Sequence, residues 1–166
     1  PTQLYNNQGE FFELDAGAMV PLYYLTKNLE HTFRVTPLSP AHLGHTQHFT
    51  FGKIIRDVSS NDQYRDENIA LIASGDLSHR LISGEPGGGK HAGIQFDKNL
   101  RNLIQEHRIE DILALSDEDL EAAGECGYRP LLILLGALDQ QKATPHLLSY
   151  EGPFGVGHLV VQYQLR

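Results

Sequence analysis

Two short stretches carry the residue types that proton transfer and metal binding require. In Ser74-Gly75-Asp76-Leu77-Ser78-His79 a carboxylate, two hydroxyls and an imidazole crowd together. An imidazole titrates near neutral pH, with an unperturbed pKa of about 6.5, so His79 is a candidate general acid or base. The same residues also fit a structural turn in which Asp76 caps a following helix and His79 sits in its first turn. The second stretch, Ala123-Gly124-Glu125-Cys126-Gly127-Tyr128-Arg129-Pro130, holds Glu125 between glycines at the entry of a nearly all-apolar segment. A carboxylate so close to buried surface needs a cation, a metal or donated hydrogen bonds. The helix N-terminus that follows can itself be that partner.

Other candidates carry less. His42, His45 and His48 recur every third residue, but on a helix the first and third lie about 120° apart around the axis, so the three do not share one ion and read as a solvated face. Cys126 is the single cysteine and reads as a small buried residue. There is no G-x-S-x-G elbow, no C-x-x-C pair and no phosphate-binding loop, since Gly87-Gly88-Gly89-Lys90 lacks the first Gly and the Ser/Thr of that motif. Tyr150-Glu151-Gly152-Pro153-Phe154-Gly155 reads as a structural turn.

The elements that must position these groups alternate between apolar strands and amphipathic helices, the pattern of an α/β fold. Gly17 to Lys27 reads as a short buried helix or turn interrupted by Pro21, and Phe33 to Leu38 as a strand ending at Pro40. His42 to Val58 is a predicted helix. Asn68 to Ala73 is a continuous apolar run, expected as a fully buried strand that delivers Ser74-Gly75-Asp76 at its carboxyl end, where open α/β sheets bind ligands. Ser83 to Gly93 is glycine-rich and reads as a mobile loop over that end. Helices are predicted over Phe96 to His107, from an N-cap at Ser116 to about Ala123, and over Tyr128 to Gln140 with Pro130 in the first turn, and a final strand over His158 to Gln164. No linker-like stretch divides residues 1–166, so one domain is expected.

Composition excludes several classes. Against 13 Lys and Arg stand 21 Asp and Glu in 166 residues, a formal charge of -8, which argues against a surface that tracks nucleic-acid phosphates. The longest apolar run, Leu131 to Leu135, falls far short of the roughly 20 residues that cross a bilayer. One cysteine forbids an internal disulfide, which points weakly to the cytoplasm. The acidic balance neither demands nor forbids a homo-oligomer or a second, different chain as partner.

Three blocks in order, Leu14-Asp15-Ala16-Gly17-Ala18-Met19-Val20-Pro21-Leu22-Tyr23, then Ser74 to His79, then Gly124 to Pro130 with Leu134-Leu135-Gly136-Ala137-Leu138, resemble the class III extradiol ring-cleavage dioxygenase family. The nearest branch looks like the bacterial Memo-like proteins of the AmmeMemoRadiSam system. The resemblance implies a three-layer αβα sandwich around a mostly parallel or mixed sheet. It also implies a non-haem Fe(II) enzyme that opens a catechol-type aromatic ring with O2. In that family two His and one carboxylate hold the iron and leave positions open for both substrates.

Carried onto this sequence, Glu125 matches the carboxylate ligand and His79 the acid/base histidine. Asp15, Gly17, Asp76, Ser78, Tyr128 and Arg129 would orient those groups or contact the substrate. The chain departs from the pattern twice. Asp15-Ala16-Gly17 stands where such proteins typically carry Asp-His-Gly, and no block matches the two iron-binding His, which would lie ahead of Pro1. The chain opens on Pro1-Thr2-Gln3 and reads as the carboxyl-terminal part of the full fold. Two other functions stay open: a Memo-like binding protein without catalysis, and a metal-dependent hydrolase on a similar fold.

Overall fold

A computed structural model describes residues 14–30, 33–82 and 90–165. Its elements are α1 (Ala16–Thr26), α2 (His45–Ser59), α3 (Lys90–Gln105), α4 (Ile109–Leu113), α5 (Asp117–Ala123), α6 (Tyr128–Ala137), β1 (Ala143–Glu151) and β2 (His158–Leu165), with single 3-10 turns at Asp62–Tyr64 and Pro153–Gly155. The α/β content matches expectation, but the three-layer sandwich is not seen among the described residues. Their only sheet is the antiparallel β1–β2 hairpin. Its register breaks between Leu147 and Ser149.

The core follows helical spacing. α3 buries Phe96, Leu100, Leu103 and Ile104, one face at steps of three and four. α6 buries Tyr128, Leu132 and Leu135 in the same way, and these meet the α3 residues in one cluster with Ile112, Leu120 and Ala123. α2 lies directly on α6, and two glycines make that close crossing feasible. A Cβ on Gly52 would overlap the Ile133 carbonyl, and one on Gly136 would overlap the Phe49 carbonyl. α5 begins as expected, with Ser116 Oγ accepting from Asp119 N at 3.1 Å, and ends on Gly124 in the left-handed conformation that glycine adopts without strain.

Several expectations are corrected. Asn68 to Ala73 joins no ladder with a described strand, and its apolar side chains are open rather than fully buried: Ile69 is 54% exposed and Ile72 43%. The apolar run encodes a two-sided strand, yet no described strand pairs with it. α1 forms around Pro21, with Asp15 Oδ1 accepting from Ala18 N at 2.9 Å, but it buries no residue. Phe33 to Leu38 is exposed and forms no strand. Of the expected loop Ser83 to Gly93, residues 83–89 lie outside the described residues, and the remainder belongs to α3. The sequence does not announce β1, because Pro145 and the polar end Ser149-Tyr150-Glu151 blur its alternation. Tyr150 and Glu151, expected in a turn, lie in this strand. No described helix is long and apolar enough to cross a membrane.

Candidate functional site

The segment that ends in His79 is fixed through its backbone. Leu77 N donates to Gly157 O and Gly157 N to Ser78 O, both at 2.8 Å, and Leu81 N donates to Gly155 O at 2.9 Å. These bonds tie it to the turn between β1 and β2. Ser78 is fully buried. Its N–H donates to Asp97 Oδ1 at 2.8 Å and its hydroxyl to Ala123 O at 2.9 Å, while Arg80 N donates to that hydroxyl at 2.9 Å. His79 N donates to Ala123 O at 3.1 Å. Ser78 therefore sets the backbone from which His79 projects; its hydroxyl is spent on Ala123 and Arg80 and does not orient the ring.

Asp97 is the buried anchor of this arrangement. Besides Ser78 N it accepts from Tyr150 OH at 2.7 Å, and Arg101 stacks on the Tyr150 ring at 4.0 Å. Burial pushes the Asp97 carboxyl above the ordinary range, against the bonds from Tyr150 and Ser78 and the charges of Arg101 and His79.

The Glu125 block crosses the His79 block directly. Asp76 O accepts from Gly127 N at 2.8 Å and from Cys126 N at 3.3 Å, and Asp76 N donates to Cys126 Sγ at 3.2 Å. Glycines permit the crossing, since a Cβ on Gly127 would stand 2.8 Å from Asp76 O. Glu125 is half-buried, and its Oε2 accepts from Tyr128 N at 2.6 Å in the first turn of α6. Burial raises its pKa, while the Tyr128 N–H and the charges of Arg129, His79 and His45 pull it down. The helix N-terminus is thus one partner of this carboxylate, as the sequence allowed.

At the crossing, Asp76 Oδ2 lies 3.3 Å from His79 Nε2. Cys126 Sγ lies 3.8 Å from the same nitrogen. His158 Nδ1 lies 3.0 Å from Asp76 Oδ1. One ligand atom each from Asp76, His79 and Cys126 falls within 4.8 Å of the others, close enough to share a cation. Asp76 does not cap a helix, because no helix follows it directly; its carboxylate bridges two imidazoles instead. Cys126 is exposed, not buried. Its thiol is pushed up chiefly by partial loss of water, with the Asp76 and Glu125 charges adding to the effect.

Cys126 and His158 were missed as site residues. A lone Cys and a strand-opening His have no spacing signal; only the fold brings them to Asp76.

The histidine triplet is also corrected. His48 is buried, its ring bridging Gly44 O and Ala41 O at 3.0 Å each. His45 packs edge-on against the Tyr128 ring at 4.9 Å and reaches Asp117 Oδ1 at 3.1 Å. Of the three, only His42 is exposed. Tyr128 is itself buried, its hydroxyl donating to Ile112 O at 2.7 Å and lying 3.3 Å from His45 Nδ1. Arg129 is half-buried beside Glu125, and its Nε is buried without a partner among the described residues. Asp15 and Gly17 stand at the start of α1, where the hydrogen bonds of Asp15 run to Ala18 and Met19.

A family model described as the catalytic LigB subunit of aromatic ring-opening dioxygenase matches residues 6–161. The protein CA_C1420 of Clostridium acetobutylicum is 38% identical over 151 residues, which cover 91% of this chain and 31% of that protein. The chain thus spans about a third of the curated relative it matches.

Proposed function

The chain belongs to the family of the catalytic LigB subunit of aromatic ring-opening dioxygenases, and on that premise we propose that the whole protein is a non-haem Fe(II)-dependent extradiol dioxygenase. Its substrates are a catechol-type aromatic and O2, and its setting is the cytoplasm, where a lone thiol such as Cys126 stays reduced. The observation that carries the reading is the crossing of the two loops, which brings the matched proton-transfer residue His79 beside the block holding the matched ligand Glu125.

The residues present fit the ion in part. Glu125 is a half-buried carboxylate whose hydrogen bond from Tyr128 N occupies one oxygen, and its desolvation is relieved by a cation. Glu125 would hold the metal together with two imidazoles that this chain does not match. When bound, Fe(II) supplies a common anchor for catecholate and O2 and a path for electron density between them.

The remaining work falls to side chains. His79 takes a proton from a substrate hydroxyl and returns it to the product, and the Asp76 carboxylate 3.3 Å from Nε2 orients the ring for both events. Arg129 adds positive charge beside Glu125. Tyr128 supports from below, since its hydroxyl is committed to Ile112 and faces His45.

The test is oxygen uptake by the full-length protein, loaded anaerobically with Fe(II) and offered a panel of catechols. Stoichiometric uptake with loss of the aromatic absorbance supports the reading, and no uptake with any catechol contradicts it.

One observation favours a second reading, a Memo-like binding protein without catalysis: Ala16 replaces the His of the Asp-His-Gly pattern. Under that reading the wild type opens no ring. Activity that appears only in Ala16→His would then mark a site that has lost its chemistry.

A further inference from the structure

Asp76 presents both carboxylate oxygens to imidazoles, one to the proposed acid/base His79 and one to His158, the first residue of β2. His158 is held there by its neighbour. Gly157 exchanges two backbone hydrogen bonds with Leu77 and Ser78, and a Cβ at that position would overlap Asp97 Oδ2. On its other side, the Asp76 backbone oxygen is fixed by Cys126 N and Gly127 N. The backbone of Asp76 is thus set from two directions, and what remains free is the rotation of its carboxylate. That carboxylate is 39% exposed, so without a second partner it turns toward water. His158 Nδ1–H, donating to Oδ1 at 3.0 Å, closes that freedom.

We infer that His158 is a positioning residue: it holds the Asp76 carboxylate so that Oδ2 faces His79 Nε2, and so fixes the ring orientation and tautomer of His79. The inference rests on the reading of His79 as the proton-transferring group. The charged and polar groups around the imidazole include Asp76 at 3.3 Å, the Cys126 thiol at 3.8 Å and the nearby Glu125 and Asp97 carboxyls. Nε2 lies at ion-pair distance from Asp76 Oδ2 and at hydrogen-bond distance from Cys126 Sγ, and of these two the carboxylate is the stronger acceptor for an Nε2 proton. A bond between an acid/base His and a carboxylate is the usual means of fixing which nitrogen carries the proton. The side chain of His158 is 48% exposed. An ion pair so open to water adds little stability, so its removal should alter the site rather than the fold.

The experiment compares His158→Phe and His158→Asn in the full-length protein. The Asn amide nitrogen lies where the imidazole Nδ1 lies and donates the same hydrogen bond. Two readouts are taken: the ring-nitrogen NMR signals of His79, assigned with His79→Gln, and steady-state ring opening. The expected result for His158→Phe is a shift of His79 from a single tautomer to a mixture. It should also lower kcat by about ten- to a hundredfold at unchanged KM, the usual size of effect for a group that orients a catalytic residue. His158→Asn should restore both. Unchanged His79 signals in His158→Phe, or a His158→Asn variant no better than His158→Phe, would overturn the inference. Should the wild type open no ring, the ring-opening reading fails, and the NMR comparison alone still decides the role of His158.

Discussion

Asp97 shows how one buried side chain can govern a site it does not touch. Its two oxygens take two donors, Ser78 N and Tyr150 OH, so the backbone just before His79 hangs from it. An amide has one acceptor where the carboxylate has two. In Asp97→Asn only one of the two donors keeps its acceptor, so the Tyr150 bond must reverse or break, and urea unfolding should show a loss of about 1–3 kcal/mol. The pH dependence has a definite sign. Burial raises the Asp97 pKa above 3.8, so the folded state holds the proton more tightly than the unfolded chain. The stabilisation from this group is present below the ordinary carboxylate value and is lost as pH rises through the raised folded value. That downward slope should shrink in Asp97→Asn to the part left by Glu125, whose pKa burial also raises, and a variant with the full wild-type slope would assign it to another group.

The elements place the site by close approach rather than by long ladders. α2 and α6 cross where Gly52 and Gly136 allow backbone to meet backbone. Gly136→Ala forces them apart at the Phe49 carbonyl, and overpacking of that kind costs about 1–3 kcal/mol. Thermal unfolding measures it; a Tm equal to wild type would show that the crossing can relax.

At this scale the sequence was legible where one element's own spacing decides the outcome. The Ser116 cap, the apolar face of α3, the α6 stripe and the β2 alternation could all be read. It was not legible where a neighbour decides. Asn68 to Ala73 has the composition of a buried strand, but burial belongs to whatever covers it, and Ile69 and Ile72 are left exposed among the described residues. His45 and His48 looked like a solvated face because spacing does not reveal that Tyr128 and the Gly44 and Ala41 carbonyls await them.

For the molecule as a whole, the proposed chemistry is assigned to the place where the two loops cross. His79 and Glu125 are legible in the sequence as candidates because each stands in a distinctive local block. Cys126 and His158 are not, because 50 positions separate Asp76 from Cys126 and 82 separate it from His158. The central claim divides labour between the two matched residues: Glu125 holds the metal and His79 moves the proton. The most direct test is a paired measurement on the full-length protein, anaerobic Fe(II) binding followed by single-turnover ring opening, in wild type, Glu125→Ala and His79→Ala. The account predicts that Glu125→Ala loses iron and turnover together. It predicts that His79→Ala keeps iron at wild-type affinity and slows ring opening by about 10²- to 10⁴-fold, the range for a lost general acid or base. Full iron binding and turnover in Glu125→Ala, or undiminished turnover in His79→Ala, would contradict it.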